Sequence, residues 1–287
     1  MLIYDDLFGH HSKVDEAINR IRAYNPLEFG FSEPYYVCYS GGKDSDCLRI
    51  LMELSGVPYD LVHNHTTMDA PETVYYIRSI PNVKIEYPDT TIHKLIVKKH
   101  MPPTRIVRYC CSELKERGGV DRFVVTGVRW SESVKRRSRG LVEVQQADRK
   151  NTLYLNNDND ENRRLLENCT LKGKRVLNPI IDWSDDDVWE FLRYYGCASN
   201  PLYQCGYSRI GCVGCPMSYK RKLEFERYPK FKENYIKTFD RMLQSDFYKV
   251  KKASWNCGEE VFDWWVSDSR SKIFSDPMQI SFDDVDY

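Results

Sequence analysis

Ser40-Gly41-Gly42-Lys43-Asp44-Ser45 packs into six consecutive residues the groups a phosphate chain needs. Gly41 and Gly42 let the backbone approach closely and turn N–H groups inward. Lys43 neutralises phosphate oxygens, Asp44 is a ligand for Mg²⁺, and the hydroxyls of Ser40 and Ser45 are further donors. The string is not a Walker A loop. That motif requires a glycine at position 37, which is Val37, and a hydroxyl residue after the lysine, where Asp44 stands. A second chemistry lies in the cysteines. Cys110-Cys111 is a vicinal pair, and Cys212-Val213-Gly214-Cys215 is a C-x-x-C on a glycine turn. Together the two segments offer four thiolates, the number that a structural zinc or a [4Fe–4S] cluster takes. Adjacent cysteines strain a small tetrahedral ion. The iron atoms of a cubane lie apart, so neighbours can each bind one. Zn²⁺ and unligated thiols remain the alternatives.

These groups need a scaffold. Tyr35 to Tyr39 is a short apolar run that reads as a buried strand directly before the loop, and Cys47, Leu48, Leu51, Met52 and Leu54 mark a helix after it, stopping at Gly56. A helix starting at Lys13 behind Ser12 precedes them. Further strands are predicted at 59–64, 83–87 and 122–128, and helices at 71–80 and 91–99. Alternation of this kind gives a parallel sheet with helices on both faces, and ligands bind beyond the carboxyl ends of its strands. A helix N-terminus at the loop adds its dipole to phosphate binding. Residues 141–174 are polar and predict an irregular excursion with a short helix near 161–169. Ser184 caps a helix opening with Asp185, Asp186 and Asp187, and 220–244 reads as helical. Three segments follow: 1–34 as N-terminal helix and linker, 35–217 as an α/β nucleotide-binding domain, and 218–287 as a smaller C-terminal helical region.

Composition narrows the partners. Forty-two basic residues balance 42 acidic ones, which argues against coating nucleic acid by bulk charge. Local basic runs remain: Lys135-Arg136-Arg137-Ser138-Arg139, then Lys172, Lys174 and Arg175, and Lys220, Arg221 and Lys222. The first suits a phosphate or a solvated loop; the others suit an RNA or DNA groove or plain solubility. No run of roughly 18 apolar residues predicts a membrane helix. The expectation is a cytoplasmic chain, in which ten cysteines serve metal or sulfur chemistry rather than disulfides. Cys38, Cys47, Cys169 and Cys197 read as structural, Cys205 as a partly buried small side chain, and His63 and His65 as packing or hydrogen-bonding groups.

The loop resembles the pyrophosphate-binding loop of the N-type ATP pyrophosphatases, and the chain from about 35 to 216 resembles the phosphoadenosine phosphosulfate (PAPS) reductase branch of that superfamily. Asp69-Ala70-Pro71-Glu72-Thr73, Thr126-Gly127-Val128-Arg129 with Glu132, Ser133, Arg136 and Arg137, Asn178-Pro179-Ile180-Ile181-Asp182-Trp183 and Asn200-Pro201-Leu202-Tyr203 carry the likeness. The resemblance implies a doubly wound, adenine nucleotide alpha hydrolase-like (PP-loop) sheet. It also implies an adenine nucleotide held by Ser40 to Ser45, Asp69, Glu72, Gly127, Arg129, Arg136 and Arg137, with Lys43, Asp44 and Arg129 catalytic. The cysteine contexts are similar to those of the iron–sulfur adenosine phosphosulfate (APS) reductases, which implies a [4Fe–4S] cluster on Cys110, Cys111, Cys212 and Cys215. Reductases of the family carry a degraded loop, whereas Lys43, Asp44 and Ser45 are intact here. That resembles members which cleave ATP to AMP and pyrophosphate, adenylate a substrate and deliver sulfur, tRNA thiolases and DNA phosphorothioation proteins among them. Such an enzyme implies ATP, Mg²⁺, a sulfur donor such as a cysteine desulfurase, and nucleic acid as a candidate substrate. The alternatives are a thioredoxin-dependent APS or PAPS reductase and a non-catalytic nucleotide-binding partner. The nucleophilic cysteine of the reductases sits in a Glu-Cys-Gly-x-His tail; Cys257 follows Asn256 and lacks the histidine, which weakens the reductase reading.

Overall fold

The computed structural model describes residues 2–6, 9–116, 118–145, 153–155, 174–250 and 255–267. They fall into two compact units. The first comprises Met1–Asn64, Pro71–Glu86 and Gly118–Ile210, the second His65–Ala70, Tyr87–Arg117 and Gly211–Tyr287.

The first unit opens with an antiparallel hairpin, β1 (Ile3–Asp6) and β2 (Gly9–Ser12). Its centre is a seven-stranded sheet of β3 (Tyr35–Cys38), β4 (Tyr59–Asn64), β5 (Val83–Glu86), β6 (Phe123–Val125), β7 (Val142–Gln145), β8 (Leu153–Leu155) and β9 (Lys174–Leu177). The spatial order is β5-β4-β3-β6-β9-β7-β8. Neighbours from β5 to β9 pair in parallel, and β7 pairs antiparallel with both β9 and β8. From β3 the chain builds outward to β4 and β5, then returns to place β6 on the other side of β3. The β3/β6 boundary is therefore the topological switch point, where ligands of such sheets bind.

Local chemistry explains these elements. Tyr35, Tyr36 and Val37 are almost wholly buried, as a central parallel strand covered on both faces requires. The helix Lys13–Ala23 is capped by Ser12, whose hydroxyl accepts the Asp15 N–H at 3.2 Å, and it turns Val14, Ala17 and Ile21 inward. The helix Lys43–Ser55 ends at Gly56, whose φ of 71° is a left-handed cap suited to glycine. Tyr35 ties the first helix to the sheet. Its buried hydroxyl lies 2.5 Å from the Tyr24 carbonyl and 3.1 Å from that of Ile21, donating to acceptors the helix end leaves open.

The second unit is helical: Ile92–Lys99, Tyr109–Leu114, Arg221–Arg227, Pro229–Leu243, Asp246–Val250 and Gly258–Val266. Its core is aromatic. Trp265 lies 4.7 Å from Tyr235 and 5.6 Å from Phe239, centroid to centroid, and Phe225 lies 4.9 Å from Phe262.

Three expectations need correction. Residues 141–174 are not wholly irregular: β7 and β8 lie inside and β9 begins at Lys174, because the backbone here continues the ladder, β7 pairing antiparallel with β9 and β8 with β7. The short helix expected near 161–169, with Cys169, lies outside the described residues. The predicted helix 220–244 is two helices broken at Tyr228, because Pro229 has no N–H to continue the ladder and takes a first-turn position. The strand expected over 122–128 is shorter, since Thr126 and Gly127 have already turned toward the site.

Tyr35→Phe strands helix-end carbonyls in the core. The expected cost is about 1–3 kcal/mol in urea unfolding; an unchanged midpoint would show that the hydroxyl is not what fastens the helix to β3.

Candidate functional site

In the first unit the site grows from the turn after β3. Gly41 has φ 71°, which strains any side chain, and an added Cβ would lie 2.9 Å from Ile77 Cγ1. The buried Asn200 amide fixes the turn, donating to the Gly41 carbonyl and lying the same 3.1 Å from Thr73 Oγ1. Ser45 is spent on the loop itself: its Oγ accepts the Gly42 N–H at 3.1 Å and donates to the Gly42 carbonyl at 2.8 Å, with Ser40 Oγ 3.3 Å away. The Lys43 N–H donates to Tyr203 Oη at 2.8 Å.

Across the switch point, Gly127 crosses the first turn of the helix so closely that an added Cβ would sit 3.0 Å from Asp44 Cβ. That crossing delivers Arg129, whose side chain is 1% exposed. Its Nε donates to Asp44 Oδ1 at 2.7 Å, Nη2 to Asp185 Oδ1 at 2.5 Å, and Nη1 to Ser131 Oγ at 2.7 Å and the Trp183 carbonyl at 3.2 Å. Lys43 Nζ lies 3.1 Å from the same Asp185 oxygen and 3.6 Å from Asp44. Partial burial opposes the ionisation of Asp185, but hydrogen bonds from Arg129 and Lys43 override it and hold its carboxyl below the usual range. Arg136, paired with Glu132, has its guanidinium pKa pushed down to about 10, first by burial and then by Arg209, Arg139 and Arg129. Four guanidinium groups therefore share this end of the sheet, a field suited to a polyanion. Arg137 is exposed, and Glu72 is half-buried in the first turn of the helix Pro71–Ser79.

The second unit gathers the four cysteines singled out by spacing. Cys110 and Cys111 lie on the helix Tyr109–Leu114. Cys212 forms an isolated antiparallel bridge with Asp69, next to which the Val213 N–H donates to the Met68 carbonyl at 2.8 Å. Gly214, with φ 76°, lies where a Cβ would meet Phe225 Cζ at 2.4 Å, and its N–H donates to Glu224 Oε2 at 2.9 Å. The turn from Cys212 to Cys215 is thus pinned from both sides. The Cys110 thiol is pushed up by its bond to Cys111, by burial, and by the fields of Cys111, Cys212 and Cys215. Cys111 goes the other way, down to about 6, through the Cys110 bond and the charges of Lys115 and Arg108, against burial. Burial raises Cys212, whose Sγ lies 3.3 Å from Thr66 Oγ1. The Lys115 ammonium is held charged by the fields of Cys212, Asp69 and Cys111, which outweigh its desolvation. These residues form one electrostatic neighbourhood.

The loop residues, Gly127, Arg129 and Arg136 therefore come together in one unit. Asp69, expected with the nucleotide residues, belongs to the cysteine-bearing unit, where it accepts the Thr66 N–H at 2.8 Å and lies 3.1 Å from His65 Nδ1. His63 is buried, its Nδ1 2.9 Å from the Tyr39 carbonyl, a packing role. Cys205 is exposed rather than partly buried, because it sits on the turn after Pro201–Tyr203. Cys257 is half-buried at the N-cap of Gly258–Val266. The sequence reading missed Asp185, Asn200, Tyr203, Arg209 and Lys115. Asp185, Asn200 and Tyr203 lie in motifs it quoted, so there the signal was present but read as helix capping or family likeness.

A parallel sheet with a glycine loop and convergent cations at its switch point defines an α/β nucleotide-binding protein. The profile of the phosphoadenosine phosphosulfate reductase domain matches residues 34–218, and the chain belongs to that family. Uncharacterised proteins of Escherichia phage 186 and Methanocaldococcus jannaschii are 29% identical over 136 residues and 26% identical over 245, covering 46% and 78% of this chain. The chain spans only 37% and 45% of those two relatives. The adenosine 5'-phosphosulfate reductase of Oceanobacillus iheyensis is 24% identical over 186 residues, 63% of this chain and 70% of that one. The PAPS reductase structure from Candida auris aligns over 69% of this chain and 93% of its own, at 18% identity and a TM-score of 0.43. Among the described residues, no helix is long and apolar enough to cross a membrane.

Behind the loop lies Asp46, fully buried, its Oδ1 accepting the Tyr39 hydroxyl at 2.6 Å. Burial pushes its pKa up to about 6, against hydrogen bonds from Tyr39 and Tyr76. The folded chain thus keeps a proton that the unfolded chain releases near pH 4, so stability falls as pH rises from about 4 to about 6 and is level above. The loss is about 3 kcal/mol. Asp46→Asn is expected to remove this slope and to melt above the wild type at pH 7.5; equal slopes in the two proteins would refute the assignment.

Proposed function

We propose that the chain is an ATP-dependent adenylating enzyme that cleaves ATP between the α and β phosphates and takes part in sulfur transfer. The observation that carries this reading is the intact Ser40–Ser45 loop with Lys43 and Arg129 converging on it, a cation pair that suits a departing pyrophosphate. A substrate oxygen forms a bond to the α-phosphorus while the α–β bridging P–O bond breaks, and its electron pair leaves on pyrophosphate. Charge grows on that leaving group, where Lys43 and Arg129 stabilise it in a site largely closed to water. Gly41 and Gly42 let the β-phosphate approach the backbone, and the helix Lys43–Ser55 presents its N-terminus. The Lys43 N–H, held by Tyr203, turns to a phosphate oxygen. Asp44 is the carboxylate placed to hold Mg²⁺, which when bound neutralises phosphate oxygens. AMP then leaves the activated oxygen's carbon as a sulfur nucleophile takes its place.

Cys110, Cys111, Cys212 and Cys215 are the residues that would hold a [4Fe–4S] cluster, which when bound supplies a site to hold or pass sulfur. The donor set fits it. A short helix fixes Cys110 and Cys111 and a glycine turn fixes Cys212 and Cys215, and the fields of Cys111, Cys212 and Cys215 all act on Cys110; two such pairs are the four ligands a cluster takes. The cysteines also support a second reading, reduction of APS or PAPS with thioredoxin as electron donor; the complete loop and the context of Cys257 weigh against it. A nucleic acid is the candidate sulfur acceptor.

Two outcomes test this. Anaerobically purified protein supplied with ATP, Mg²⁺ and candidate substrates should release pyrophosphate, and Lys43→Ala should lower that release by about 10²–10³-fold. Release untouched by Lys43→Ala would sink the adenylation reading, and sulfite formed from APS with reduced thioredoxin would decide for the second. The same preparation should contain about four iron and four sulfide per chain, lost in Cys110→Ser and Cys215→Ser. Stoichiometric zinc without sulfide would replace the cluster with a structural ion.

A further inference from the structure

Asp185 has an unusual position for a first-turn acid. The capping box of its helix is already closed without it: Ser184 Oγ accepts the Asp187 N–H at 3.1 Å, and Asp187 Oδ2 accepts the Ser184 N–H at 2.7 Å. Asp187 is in turn held by Lys13 Nζ at 2.5 Å. The Asp185 carboxylate is left to reach the other way. One oxygen, Oδ1, accepts from Arg129 Nη2 at 2.5 Å and lies 3.1 Å from Lys43 Nζ. The two cations it joins are nearly water-free, with side chains 8% and 1% exposed, while Asp185 itself is 69% exposed. Like charges so placed repel, and Lys43 has a flexible stem. Asp44 also faces both, but at 3.6 Å from Lys43 it is the weaker tie, and it is the carboxylate placed for Mg²⁺.

We propose that Asp185 is a positioning residue, a bridging carboxylate that sets the separation of Lys43 and Arg129 around the leaving diphosphate. This rests on the adenylation reading. It has two consequences of opposite sign. As a tie, Asp185 raises turnover, because cations held in place stabilise the leaving group better than mobile ones. As an anion next to the phosphate site, it weakens the binding of pyrophosphate.

Asp185→Asn in the full, cluster-loaded chain separates the two. Calorimetry with inorganic pyrophosphate should show binding about threefold tighter than in the wild type. The kcat for pyrophosphate release should fall about tenfold, with KM for ATP unchanged or lower. Asp185→Glu, which keeps the charge, should recover part of the turnover. Asp186→Asn, the matched control for the helix dipole, should behave as the wild type in both measurements. Equal effects at 185 and 186, weaker pyrophosphate binding in Asp185→Asn, unchanged turnover, or no recovery in Asp185→Glu would each overturn the positioning role. A wild type that releases pyrophosphate while Asp185→Asn matches it overturns this role alone; a wild type that neither binds nor releases pyrophosphate overturns the adenylation reading as well.

Discussion

Two cations excluded from water at one strand boundary impose most of the local architecture of the first unit. A buried lysine or arginine is tolerated only when fixed opposite charge and hydrogen bonds replace the lost hydration. Arg129 meets the requirement with two carboxylates, one hydroxyl and one carbonyl. The consequences spread outward. Asp44 must sit in the first turn of its helix, so the chain after β6 must cross that turn closely, and any Cβ at 127 would crowd Asp44. Asp185 must reach in from a third segment, the helix Asp185–Tyr194, so that helix must start where Ser184 and Asp187 begin it. Asn200 and Tyr203, from a fourth segment, hold the loop that carries Lys43.

Seen this way, the sheet topology is part of the chemistry. Because the chain leaves β3 in one direction and returns on the other side with β6, two strand ends open beside each other with no connecting helix between them. The loop after one and the arginine after the other can then meet. A strand order without this reversal would put a crossover helix over the gap. The buried pair Tyr39–Asp46, directly behind, makes the floor of the loop polar, with a carboxyl that burial keeps protonated into the mildly acidic range.

Much of this was legible in the sequence, for physical reasons that also mark the limits. β3 and the loop were readable because a fully buried strand is a continuous apolar run and glycine pairs announce an unusual backbone. Gly56, Ser12 and Ser184 mark helix ends through their own side-chain or backbone chemistry, and each boundary follows. The hairpin β1–β2 was not readable: it is short and mostly exposed, so its composition carries no alternation. β7 and β8 hid in a polar stretch because each is only three or four residues long, too short a run to show a period. At the site, Lys43, Asp44 and Arg129 were visible through spacing along the chain. Asp185 and Tyr203 were not, since their roles depend on which segments the fold brings together, 142 and 160 residues away from Lys43. Capping and ion pairing also draw on the same residue types, and sequence alone does not separate the Asp187 that caps from the Asp185 that bridges.

The two units solve opposite electrostatic problems. In the first, burial and then the neighbouring arginines lower the proton affinity of Arg136, and their field suits an anion. In the second, four thiols converge with Asp69, and the cations named beside them are Lys115 and Arg108. Crowded sulfurs do not ionise together unless a multivalent cation shares their charge; around such a centre they lose their protons outright. On the cluster reading, the protein does not need to tune each cysteine separately. It needs to fix where the sulfurs stand, and it does so with backbone: a short helix for Cys110 and Cys111, and for Cys212 to Cys215 a glycine turn wedged against Phe225 and bonded to Glu224. The aromatic packing of Phe225, Tyr235 and Trp265 has its reason here, because a turn that must hold two sulfurs still gains its rigidity from the core on which it rests.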